Sequence, residues 1–174
     1  MKLIERQMVE LLKVLKRDHN VVGVKAEFEA EGTRIEEAMR LKEVSLSAGL
    51  ELSIKVGGCE AIKDMFDAAS LGTKHLVGPM VETPYALKKF LAATRLAFSK
   101  DEREDMNFLI NLETETACRN FEDMLKLPEI DQLDGIVLGR VDLTGSKGQD
   151  RDNVNSPEIL DLCLSAAAKA KAKG

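Results

Sequence analysis

The chain has no long apolar run: nothing in it approaches the roughly 20 consecutive apolar residues of a membrane-spanning helix. It has no basic stripe either. With 25 Lys and Arg against 30 Asp and Glu, and a formal net charge of −5, it lacks the cationic footprint that displaces counterions from nucleic acid. The opening "MKLIERQMVELLKVLKR" is no signal peptide, because acids interrupt its apolar positions. Cysteine is scarce. The 3 present, Cys59, Cys118 and Cys163, are odd in number and far apart, which argues against a disulfide framework or a zinc site. Reduced thiols and a cytoplasmic location are the expectation. Histidine is scarcer still, with only His19 and His75.

What is there reads as a soluble globular protein: 44% hydrophobic and 32% charged, with both signs spread along the chain. Its 174 residues suit one α/β domain over 1–174 with a core of its own. Leu3, Ile4, Met8, Leu11, Leu12 and Leu15 recur at helical spacing, which predicts an N-terminal amphipathic helix over 1–19. Short β-prone runs then alternate with longer helical patterns. The runs are "VVGVKAEF" from Val21, "ELSIKV" from Glu51, "HLVGPMV" from His75, "MNFLINL" from Met106 and "DGIVLGRV" from Asp134. Pro84 and Pro157 stand where helices begin, the latter after Ser156 as N-cap. Strands that start roughly every 25–30 residues imply strand–helix–strand units and a parallel sheet. Two architectures fit. A doubly wound open sheet of five strands suits this length, whereas an eight-stranded α/β barrel normally takes about 250 residues. In both, functional groups gather at the carboxyl ends of the strands.

Two acids stand there. "INLETETACRN" ends the fourth run and places Glu113 at its carboxyl end; "GRVDLTGSKG" ends the fifth and does the same for Asp142. One strand–helix unit separates them, so they can meet on one rim, where like charges repel unless something compensates. A divalent cation does so, since magnesium is commonly held by one or two carboxylates with water and substrate oxygens. Gly139, Gly145 and Gly148 keep the turn bare enough for an anion to approach backbone amides. The plainer alternative is that Glu113 caps the next helix and Asp142 starts a turn.

"ETETACRN" fits E-T-x-x-A-x-x-N, "GRVDLTGSKG" fits G-x-x-D-L-x-x-x-x-G, and "FDAASLGTKHLVGPMVET" is similar to a segment ending in P-M-V-E. In this order the three resemble the HpcH/HpaI aldolase and citrate lyase β-subunit family of the phosphoenolpyruvate/pyruvate-binding barrels, from about Val21 to the last helix. The resemblance implies a TIM-type barrel, here incomplete at about five to six strand–helix units, as a fragment of a longer barrel or as a sheet covered by another chain. It implies Mg²⁺ or Mn²⁺ on Glu113 and Asp142, and a 2-oxo acid such as pyruvate or oxaloacetate as substrate. The implied activity is that of a class II, metal-dependent carbon–carbon lyase working through a metal-bound enolate, whose gathering charge a Lewis acid can stabilise by several kcal/mol. Backbone amides of the turn Gly139, Arg140 and Val141 would hold the substrate carboxylate.

The departures from the family matter too. Its arginine in a V-R-V context is Lys55 here, in "LSIKVGG", a cation without the bidentate fork. Arg140, in phase with Asp142 if both lie on a strand, could face the site or serve as a structural partner. The histidine of the family's D-x-E-H context is absent from "VKAEFEAEG"; Glu27 or Glu29 could replace it as base, or be plain solvated acids. His19 and His75 fall at the wrong strand end. Glu82 reads as a packing or helix-terminal acid. Two other functions remain open: a citrate-lyase-like acyl-CoA lyase, for which no basic cluster is present, and a non-catalytic scaffold. The resemblance also implies a homo-oligomer.

Overall fold

Residues 1–174 are described by a computed structural model. The apolar runs form β1 (Gly23–Glu27), β2 (Glu51–Lys55), β3 (His75–Gly78), β4 (Asn107–Leu112) and β5 (Gly135–Leu138). Between and around them lie α1 (Leu3–His19), α2 (Ile35–Ser47), α3 (Ile62–Ser70), α4 (Pro84–Ala97), α5 (Lys100–Asp105), α6 (Glu115–Met124), α7 (Arg140–Ser146) and α8 (Pro157–Lys173). The helix starts follow capping chemistry. Thr83, Thr114 and Ser156 each accept a hydrogen bond from an amide three residues on, and Pro84 and Pro157 occupy first-turn positions. The short α5, which the sequence reading omits, is held by a capping box between Ser99 and Glu102.

All five strands are parallel and lie side by side in chain order, β1-β2-β3-β4-β5. A doubly wound sheet reverses its order at a switch point; this one has none, so the open-sheet alternative falls. Strand after strand added in one direction is the progression of an α/β barrel, and the sheet is a partial one.

Alternation splits the sheet into two unlike faces. Ala26, Leu52, Ile54, Leu76, Phe108 and Ile110 share one face, all buried in a core of 23 residues that also takes Met65, Leu87, Phe90, Phe121 and Met124 from the helices. Gly78 belongs to that face because a Cβ there would come within 2.7 Å of the Phe90 ring. The opposite face, in register across the strands, carries Lys25 and Glu27, Ser53 and Lys55, His75 and Val77, then Asn107, Leu109 and Asn111. It is polar and more open, and Val137 on the same face of β5 is 37% exposed. In a barrel this is the inner surface. The N-terminal helix forms as expected, but it seats Val9 and Glu5 against the body, while Ile4, Met8, Leu11 and Leu15 remain exposed.

Candidate active site

Because the strands are parallel, their carboxyl ends make one rim. β1 brings Glu27 and β2 brings Lys55, and these two are register partners, so their side chains lie next to each other on the inner face. The Lys55 ammonium is 2.9 Å from Glu27 Oε2, and Lys25, two residues before Glu27 on the same face, pairs with Oε1. Burial pushes the Glu27 carboxyl up, but the hydrogen bonds and charges of Lys25 and Lys55 outweigh it and hold the group below its ordinary range. Burial likewise pulls Lys55 down, and Glu27, then the fields of Glu113 and Asp142, raise it above the ordinary value. Lys55 is therefore a firmly charged cation whose field reaches both acids singled out from the sequence.

Glu113 follows β4 and is only 1% exposed. Both of its oxygens are held: Met80 N–H donates to Oε1 at 3.0 Å and Asn111 Nδ2 donates to Oε2 at 2.7 Å. A Cβ on residue 139 would lie 2.6 Å from Glu113 Cβ and 2.7 Å from Oε2, so the carboxylate occupies the space that glycine leaves. The Gly139 amide is already spent on the Leu112 carbonyl at 3.3 Å. Asn111 is a site residue the sequence reading missed. It is 5% exposed, and its Oδ1 is a buried acceptor with no partner. A polar residue inside an apolar strand, two before Glu113 and so on the same face, was the signal available.

Asp142 is not on a strand, as the reading of "GRVDL" had it. β5 stops at Leu138, and Asp142 sits exposed in the first turn of α7. The strand phase between Arg140 and Asp142 fails for the same reason. Arg140 turns instead to the Asn155 side-chain oxygen. Val141, also in that turn, is 46% exposed, and no side chain caps the helix start. Glu29 lies over Gly57, next to the Asp64 carboxylate that accepts the Gly57 amide at 2.8 Å. His75 stands at the amino end of β3, between Glu51 at 2.9 Å and Asn107 at 3.0 Å, and His19 closes α1; neither reaches the rim.

The motif residues around the two acids are fasteners. Thr114 caps α6 through Ala117 N at 3.0 Å and donates to Glu82 Oε1 at 2.7 Å, while Asn120 donates to the Glu82 carbonyl at 2.9 Å. E-T-x-x-A-x-x-N thus ties the loop after β3 to α6, directly under Glu113. Leu143, buried with Ile159 and Cys163, anchors α7 on α8. The Ser146 hydroxyl accepts the Glu115 amide at 2.9 Å, joining α7 to α6.

No three His, Cys, Asp or Glu side chains cluster as a ready ligand set. The oxygen groups around Glu113, its own carboxylate and the free amide oxygen of Asn111, are of the kind a hard cation takes, and Asp142 stands exposed on the neighbouring α7 turn. A cavity of about 530 Å³ lies elsewhere, between α6, the amino end of β5 and the end of α8. Of its two acids, Asp131 and Asp134, the latter is already committed to the Phe108 amide at 2.7 Å.

A family model described as HpcH/HpaI aldolase/citrate lyase matches residues 30–174. A 2-keto-3-deoxy-L-rhamnonate aldolase of Klebsiella pneumoniae is 24% identical over 140 residues, 68% of this chain and 50% of its own length, and that of Salmonella typhi matches equally. The chain therefore spans about half the length of these curated relatives. Among solved structures, citrate synthase SbnG superposes with a TM-score of 0.80 at 16% identity, over 95% of this chain and 70% of the other. An HpcH/HpaI aldolase/citrate lyase family protein of Burkholderia cenocepacia gives 0.76 at 14% identity, over 97% and 72%.

Proposed function

The chain belongs to the HpcH/HpaI aldolase/citrate lyase family, and we propose that its carboxyl-end rim breaks or forms a carbon–carbon bond next to the carbonyl of a 2-oxo acid. The observation that carries this reading is Lys55, a charged and largely buried cation held within the fields of Glu113 and Asp142. Such a bond change leaves an electron pair on the carbon beside the carbonyl, which delocalises as an enolate and places negative charge on the carbonyl oxygen. Glu113 and Asp142 would hold a divalent cation, Mg²⁺ or Mn²⁺, which when bound supplies Lewis-acid stabilisation of that charge. Lys55 adds a fixed positive charge at the same rim, in surroundings that strengthen it relative to water.

The other residues prepare the ground. Asn111 Oδ1, buried and unpartnered beside Glu113, would serve as the further oxygen donor to the cation or accept a hydrogen bond from a substrate hydroxyl. In the uncapped first turn of α7 the amides of Arg140 and Val141 would receive the substrate carboxylate, while Gly139, its own amide bound to the Leu112 carbonyl, leaves the turn bare; the relatives named for a 2-keto acid support that substrate class. Glu27 holds Lys55 in place. With two ammonium groups keeping it ionised below the ordinary carboxylate range, it is a weaker base than a free acid. The metal and the 2-oxo acid stand or fall on one titration. Calorimetry with Mg²⁺, with and without oxalate as a flat enolate mimic, is run on this chain and on Glu113→Ala. Oxalate binding only with metal, and loss of both in a folded Glu113→Ala, is the expected result. A folded wild-type chain that binds neither ligand overturns the reading.

A further inference from the structure

Only two residues other than glycine have a positive φ: Asn20, at 55°, and Met80, at 51°. Asn20 ends α1, where an asparagine in the left-handed conformation is ordinary. Met80 has no such excuse. Its side chain has no polar group to stabilise that conformation locally, and at 49% exposed it is not held there by its own packing. Strain of this kind persists only where the surroundings over-determine it.

The surroundings of Met80 do so from both sides. Upstream, β3 runs straight into the bend through Gly78, which is pinned under Phe90. Downstream, Val81 is fully buried, and Glu82 is fastened to α6 by Thr114 and Asn120. Between these anchors the left-handed turn points the Met80 amide at Glu113 Oε1, 3.0 Å away. We propose that Met80 is a positioning residue: its backbone conformation, rather than its side chain, locks the Glu113 carboxylate in the orientation that the rim chemistry uses. The assignment rests on the metal-site reading of Glu113. Asn111 holds the second oxygen, so Met80 and Asn111 together leave the carboxylate a single orientation. Preorganisation of a ligand by its supporting hydrogen bonds commonly accounts for 10–100-fold in metal affinity.

Three substitutions separate backbone from side chain. Met80→Gly and Met80→Asn both allow the left-handed conformation and keep the amide, whereas Met80→Val brings a β-branched residue that resists it. The expected result in Mg²⁺ titration is near-wild-type affinity for Gly and Asn, and a loss of about 10–100-fold for Val with its circular dichroism unchanged. Wild-type affinity in Met80→Val, or an equal loss in Met80→Gly, overturns the proposal. Hydrogen exchange tests it without metal. The Met80 amide should be protected in the wild-type chain and in Met80→Asn, and exchange at least about tenfold faster in Glu113→Ala. An amide that exchanges equally fast in wild type and Glu113→Ala shows that it does not serve Glu113, even if Mg²⁺ binds. A protected amide in a chain that binds no Mg²⁺ sinks the metal reading alone and leaves the clamp standing.

Discussion

The two ends of the sheet use the same kinds of residue for opposite purposes. At the amino end, charged side chains are spent on the backbone. Lys16 donates to the Gly49 carbonyl at 2.6 Å, Lys42 to Gly72 at 2.7 Å and Lys74 to Asp105 at 2.6 Å, each in the turn that leads into a strand. Asp134 does the reverse by accepting the Phe108 amide, and Glu51, His75 and Asn107 satisfy one another across three strands. At the carboxyl end, charges are held for one another and for something else. Glu27, Lys55 and Glu113 sit close together in the inner face, one non-glycine backbone is strained, and the apparatus that holds Glu113 includes an amide with a free oxygen. Buried oxygens without partners occur at both ends, Thr73 and Glu129 at one and Asn111 at the other, but only Asn111 lies on a strand and touches a site carboxylate. One end spends its polar groups on holding the fold, and the other carries the groups of the proposed site.

The largest effect that sharpens this contrast belongs to Lys55→Met. Removal of the fixed cation should lower turnover of a cleaved 2-oxo acid by about 10²–10³, the usual cost of losing one oxyanion donor. Steady-state rates against unfolding midpoints will show whether activity falls much further than stability. Gly139→Ala comes next. A methyl 2.6 Å from Glu113 Cβ must displace backbone or carboxylate, at a cost of about 1–3 kcal/mol in stability and with weakened Mg²⁺ binding, read by urea melts and calorimetry.

A third test uses acid. Glu27 has its folded value depressed, so the stability it lends is complete above about pH 4.3, its ordinary range, and is lost as the pH falls through the lowered value. Lys55 is raised, so its contribution is complete below about pH 10.4 and is lost as the pH climbs through the raised value. Urea midpoints measured across the acid range should fall less steeply for Glu27→Gln than for wild type. The smallest effect is expected from His75→Ala, about 1 kcal/mol of stability for the hydrogen bonds lost and no change in Mg²⁺ or oxalate binding. A His75 variant that loses ligand binding would break the division between the ends.

Much of this was legible in the residues. Every strand lies inside a run that its apolar pattern marked, and Glu113 and Lys55 lie at the strand ends where alternation put them. Pro84, Pro157 and Ser156 announced their helices by local chemistry that needs no tertiary help. The misses have physical causes. "GRVDL" continues an apolar, β-branched run, and the helix it forms is held by tertiary contacts, Gly139 close under Glu113 and Leu143 packed on Ile159 and Cys163 of α8. The pairing of Glu27 with Lys55 depends on register, which is set by the packed helices and is not written in either strand. Nothing about a methionine signals a left-handed backbone, since the cause of the conformation at Met80 lies in its anchors. The exposed apolar stripe of α1 was visible as a pattern, but a pattern does not state which face meets the body.

The order of the strands also has a kinetic meaning. Because each strand pairs with the next one in the chain, every pairing closes a short loop of one helix, or of two between β3 and β4. Closing a loop of that size costs little more entropy at β5 than at β1, so no pairing has to wait for a distant segment. The sheet can therefore grow in the direction of synthesis, with each strand docking on the edge left by its predecessor as it leaves the ribosome.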